Sequence, residues 1–178
     1  MNTQPGRHRI LYAVIFLLPA AGLLWADRPT WISLALFLNL YALALYDQFT
    51  FRLPNLLTGT LVLLGLLRAY LDGLALQPYL IGVAAGFLSL WLLAFLYEKL
   101  RGRRGMGMGD AKFLAGAGAW VAWYGLPFVL LAASLAGLGA FVLKTVMKGK
   151  FDPLEPIPFG PYLCLGAWLS WLYFDLIS

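Results

Sequence analysis

The chain has 178 residues, 62% of them hydrophobic and 12% charged, with a net charge of +5 and a mean hydropathy of +0.80. Soluble domains carry about a quarter charged residues, so a water-driven globule is excluded. The expectation is an all-α polytopic bundle of transmembrane helices, one integral-membrane domain over residues 1–178 with no soluble domain beside it. The single cysteine, Cys164, cannot close an internal disulfide and leaves no Cys-x-x-Cys for zinc, so no metal, redox framework or cofactor is expected and Cys164 reads as packing. His8, the only histidine, lies in a polar amino-terminal tail and is assigned no role.

In chain order, apolar runs separated by charged or Pro/Gly punctuation predict helices over residues 10–25, 31–46, 56–71, 79–97, 111–123, 127–143 and 162–176. Several are shorter than the roughly 20 residues a perpendicular span needs, so the expected count is about seven, within a range of five to seven. The first run, preceded by Arg7-His8-Arg9, mimics a signal peptide but reads as an uncleaved span, because the later charged loops need it to reach their side. Lys and Arg fall asymmetrically. Arg7, Arg9, Arg52, Lys99, Arg101, Arg103, Arg104, Lys112, Lys144, Lys148 and Lys150 share one side, and only Arg28 and Arg68 lie on the other. Cytoplasmic loops are the basic ones, so a multi-pass protein of the inner (plasma) membrane is expected, amino terminus cytoplasmic and carboxyl terminus outside. Basic loops facing anionic lipid account for the net charge, and nucleic-acid binding has no separate support.

Most of the eight acidic residues have ordinary homes: Asp27 and Asp72 in outer loops, Glu98 beside Lys99, Asp175 at the carboxyl end, Asp152 and Glu155 in a proline-rich loop. Asp47 and Asp110 differ. Each sits where a predicted helix meets the cytoplasmic interface, and ionisable residues there are costly enough to suggest function. If the second and fifth predicted helices pack together, the two carboxyls meet, and in a poorly solvated site one of the pair retains a proton. An ionised carboxyl that takes a proton from water, beside a protonated one that donates to a carbonyl oxygen, is the equipment of an aspartic protease. Gly107 and Gly109 would admit an extended substrate backbone and permit φ > 0. Gly107, Ala111, Ala115 and Ala119 form a small-residue stripe that would let a neighbouring helix approach Asp110. Lys112 is expected to snorkel to the interface rather than pair with Asp110. The residues alone leave a proton relay or ion-coupled transport as open as proteolysis.

The segment DQFTFRLPN, with Asp47 ahead of Leu53-Pro54-Asn55, and GMGDAK, Gly107 to Lys112, resemble the two signature motifs of the type IV prepilin leader peptidases, aspartic proteases of the GxGD class. PFGPYLCLGAW resembles the opening of that family's last span, so the motifs frame residues 47–168. The resemblance implies that Asp47 and Asp110 are the catalytic pair and that the substrates are pilin-like precursors, cut at the cytoplasmic face after a short basic leader. Pro54 suits the first turn of the third predicted helix, and Asn55 either caps that turn or orients Asp47, with capping favoured. Pro158, Gly160 and Pro161, read as non-helical, either line the site or form a simple loop. Many family members carry a cytoplasmic insertion with paired Cys-x-x-Cys associated with N-methyltransferase activity. No such insertion follows the first predicted span, so a peptidase-only member is expected. Presenilin-like proteases share Tyr46-Asp47 and the Gly-x-Gly-Asp, but the Pro-Ala-Leu expected of them is absent. A non-catalytic membrane subunit of a pilus or secretion assembly is the remaining alternative, and the oligomeric state is not legible.

Overall fold

The structure, a computed structural model, describes residues 30–102, 107–148 and 158–177. The predicted span at 10–25, Asp27, Gly105, Asp152 and Glu155 lie outside the described residues. Five helices follow one another: α1 (Thr30–Thr50), α2 (Asn55–Leu71), α3 (Leu76–Arg101), α4 (Met108–Lys148) and α5 (Gly160–Ile177), with no strand among the described residues. Within them, Trp31–Thr50, Leu76–Arg101 and Met108–Leu143 are long and apolar enough to cross a membrane, and α2 is a shorter apolar helix.

Helix ends follow local chemistry. The first turn of α2 is preceded by Pro54 in extended backbone (φ −68°, ψ 136°), where a missing N–H costs nothing. Gly102 closes α3 at φ 62°, its N–H donating to the Glu98 carbonyl at 2.8 Å, a left-handed cap that glycine adopts without strain. Gly160 and Pro161, expected to be non-helical, are instead the first two residues of α5, because proline is tolerated in a first turn.

α4 joins the two predicted runs at 111–123 and 127–143 and is interrupted at Ala122 (φ 55°, ψ −174°), one residue before the end of the first. Pro127 has no N–H to offer the carbonyl of Trp123, four residues back, and the break falls one residue further toward the amino terminus. The predicted gap between the two runs lies at residues 124–126. The first half of α4 is the pillar of the bundle, in contact with α2, α3 and α5. A Cβ on Gly65 of α2 would lie 2.7 Å from the Ala119 carbonyl oxygen, and one on Gly82 of α3 would lie 2.5 Å from that of Gly118. Between apolar helices in lipid, attraction comes from close packing, and these absent side chains allow it. The small-residue stripe therefore receives α2 and α3. It does not receive α1, which packs on α5 and α2 and shares no extensive interface with α4.

Aromatic side chains fill the centre. Phe37 meets Trp168 edge-on at 5.3 Å, Trp168 stacks on Trp171, and Trp120 meets Trp171 edge-on while its Nε1 donates to the Leu61 carbonyl at 2.9 Å. Cys164 is buried among them, as its packing role requires. At the end of the bundle away from the α1–α2 connection, Arg68 is buried within α2 and paired with Asp72 at 2.9 Å. A buried guanidinium needs such a partner, and the i,i+4 spacing supplies one.

Candidate active site

Four chain segments converge at one end of the bundle: the end of α1, the connection 51–54, the start of α4 and the start of α5. Between them lies a cavity of about 490 Å³ lined by Asp47, Phe51, Arg52, Leu53, Gly107, Met108, Gly109, Asp110, Pro158 and Phe159. Asp47 and Asp110 thus face one space, although α1 and α4 barely touch; α5 and the 51–54 connection span the gap between them.

The two carboxyls are held differently. Asp47 lies in the last turn of α1 and is only 6% exposed. The backbone N–H of Gly160, at the amino terminus of α5, donates to its Oδ2 at 3.0 Å, so the positive end of a helix faces a carboxylate. A Cβ on Gly160 would lie 2.6 Å from that same oxygen, which only glycine avoids. Asp110 occupies the first turn of α4, which opens as the Asp110 N–H donates to the Gly107 carbonyl at 3.2 Å. Its carboxyl has no hydrogen-bond donor among the described residues and is left to the cavity.

Of the residues singled out in the sequence, Asp47, Asp110, Gly107, Gly109 and Pro158 line the cavity, and Gly160 touches it through Asp47. Pro161 is fully buried behind it, and Pro54 and Asn55 stand beside it without lining it. Neither Gly107 nor Gly109 uses the positive φ that glycine permits. Their common property is space. Around Gly107 a Cβ would find only the Gly109 nitrogen, 3.9 Å away, whereas one on Gly109 would lie 3.1 Å from Leu53 Cβ. Asn55 does not cap α2, which has no side-chain cap, and its Oδ1 is directed elsewhere, accepting from Lys112 Nζ at 2.7 Å.

Phe51, Arg52, Leu53, Met108 and Phe159 were missed as wall residues. The available signal was local: the 51–54 connection closely follows Asp47, and Met108 directly precedes Gly109-Asp110, so these neighbours border whatever the aspartates face. Phe51, at φ 53° with its N–H on the Asp47 carbonyl at 2.8 Å, turns the chain sharply enough to bring that connection over the cavity. No group of three or more His, Cys, Asp or Glu suited to a metal occurs among the described residues. The arrangement offers two carboxyl groups, a space large enough for water and an extended peptide, and apolar walls.

Residues 34–142 match the type IV leader peptidase family. Among curated proteins, a prepilin leader peptidase/N-methyltransferase of Aeromonas salmonicida (strain A449) is 41% identical over 163 residues, covering 91% of this chain and 53% of that protein. One from Aeromonas hydrophila is 41% identical over 164 residues, with the same 91% and 53% coverage. One from Pseudomonas aeruginosa is 38% identical over 160 residues, covering 86% of this chain and 54% of the relative. The chain spans about half the length of these curated relatives. No solved structure matches.

Proposed function

The chain belongs to the type IV leader peptidase family, and on that premise we propose that it is an aspartic endopeptidase removing the basic leader from pilin-like precursors at the cytoplasmic face of the inner membrane. The observation that carries this reading is the cavity in which Asp47 and Asp110, from different helices, face the same space beside two glycines.

In this mechanism the precursor enters extended, its backbone passing Gly107 and Gly109, where no side chain holds it away. A water molecule lies between the carboxyls. The ionised carboxylate takes one of its protons as its oxygen attacks the scissile carbonyl carbon, and the protonated partner donates to the carbonyl oxygen. The tetrahedral intermediate collapses when the amide nitrogen receives a proton from the acid formed in the first step, the C–N bond breaks, and the other carboxylate recovers its proton from the hydroxyl. Neither carboxyl changes its net proton count over a turnover. The Gly160 N–H fixes the orientation of Asp47 throughout.

Deeper in the bundle, Phe113, Leu114, Leu163 and Trp168 are buried and apolar, which favours chemistry at the interface over a proton path through the membrane. The relatives' names carry a second activity, N-methyltransferase; two carboxyls in one cavity account for the first alone, and only the peptidase is proposed. The seven-span topology belongs to the same proposal, with the cavity end cytoplasmic, because Arg52, Lys99, Arg101 and Lys112 lie at that end. A topology reporter fused at Lys150 should read cytoplasmic and one at Ser178 external; a cytoplasmic reading at both removes the last span. The activity is tested by co-expression with a candidate pilin-like precursor and sequencing of the product's amino terminus. A new terminus directly after the basic leader is expected, and an unshortened precursor contradicts the proposal.

A further inference from the structure

The aspartates belong to helices that share no extensive interface, so their spacing must be maintained through intermediaries. One is α5, through the Gly160 N–H on Asp47. The other is the 51–54 connection, tied to Asp47 by the Phe51 N–H and seated on α4 where Leu53 lies against Gly109. That seat is an apolar contact and does not by itself fix a register. Immediately beyond it, Lys112 Nζ reaches across to Asn55 Oδ1 at 2.7 Å, joining residues 57 positions apart in sequence.

Both partners are free for this contact. The Asn55 amide oxygen caps no backbone N–H of α2, since that helix has no side-chain cap, and is available to Lys112. Lys112 follows Asp110 by two residues, so any movement of its anchor moves the turn that carries the Asp110 carboxyl. We propose that Lys112 and Asn55 form a positioning latch that clamps the first turn of α2 to the first turn of α4 and thereby sets the spacing of Asp47 and Asp110. The latch touches neither substrate nor the reacting atoms. Its kinetic role rests on the peptidase reading; its effect on spacing does not.

Lys112→Met removes the donor, Asn55→Leu removes the acceptor but keeps the lysine charge, and Asn55→Asp keeps an acceptor. On precursor cleavage, each of the first two should lower kcat by about tenfold with KM within about twofold, since displacement of a reacting group acts on the chemical step. The double variant should be no slower than either single one, because both break one contact. Asn55→Asp should stay within about twofold of the parent. Full kcat in both single variants, or multiplied losses in the double, overturns the latch. A loss in Lys112→Met that Asn55→Leu lacks also overturns it, since that pattern means a charge effect on Asp110.

Distances measured between spin labels supply the readout independent of catalysis. With Cys164→Ala as background, labels at Leu56→Cys and Met108→Cys, both exposed, report on the two clamped turns. A narrow distribution that broadens in Lys112→Met and Asn55→Leu, with the thermal transition retained, supports the latch; an unchanged distribution overturns it. If the parent leaves every precursor uncut while the distribution still broadens, the peptidase reading fails and the latch stands.

Discussion

Glycines in two regions of this molecule do opposite work. In the bundle interior they are filled against: a Cβ on Gly118 would lie 2.2 Å from the Gly82 carbonyl oxygen, one on Gly86 would lie 2.4 Å from that of Leu114, and one on Gly166 would lie 2.4 Å from that of Val129. At the cavity, Gly107 faces open space. Interior glycines let helices without a hydrophobic driving force between them pack backbone to backbone, so their loss should appear as loss of folded protein. Cavity glycines keep a passage clear, so their loss should appear in cleavage with the fold intact. Gly160 stands between the two classes, because what would strike its Cβ is the Asp47 carboxyl itself.

The largest effect is expected at the interior. Gly118→Val places branched carbon against the Gly82 backbone, and overpacking that ordinarily costs about 1–3 kcal/mol should exceed that range where backbone cannot move aside. The measurement is the amount and thermal transition of protein in the membrane, both of which should fall. Normal stability would break the comparison at its firmer end.

Gly160→Ala comes next. Displacing Asp47 by about 1 Å should reduce precursor cleavage on the order of a hundredfold, while the thermal transition falls only slightly. Equal losses of stability and activity would move Gly160 into the packing class.

Gly109→Val and Gly107→Val sharpen the distinction. The first must push on Leu53 and should cost both some stability and about tenfold in cleavage; the second should leave the thermal transition unchanged and slow cleavage alone. If Gly107→Val cleaves at the parent rate, the substrate backbone does not pass that position. The smallest effect is expected at Ala122, whose φ of 55° strains a side chain that carries a Cβ. Ala122→Gly should raise stability by about 1 kcal/mol without altering cleavage, read from the shift in the thermal transition.

The helices were legible because membrane spans announce themselves as apolar runs. Their ends were less so: α3 runs on through Glu98, Lys99 and Arg101, since a helix carries charges into the interface before it stops, whereas the charges themselves suggested a stop at residue 97. The predicted runs leave their gap at residues 124–126, whereas the break in α4 occurs at Ala122, a residue with no breaking signature. Asp47 and Asp110 stood out by being expensive at the edge of a span. Asn55 was misread because its partner, Lys112, lies 57 positions away and becomes a neighbour only in three dimensions. Wall residues such as Phe159 have no chemical signature, and only the convergence of four segments identifies them.

The central claim is that Asp47 and Asp110 act as one chemical unit. Asp47→Asn, Asp110→Asn and the double variant, each purified at a matched thermal transition, should be compared for precursor cleavage. Both single variants should lose about 10²–10⁴-fold or more, since the amide preserves shape but cannot exchange the proton, and the double variant should be no worse than either. Cleavage at the parent rate by either single variant would contradict the account.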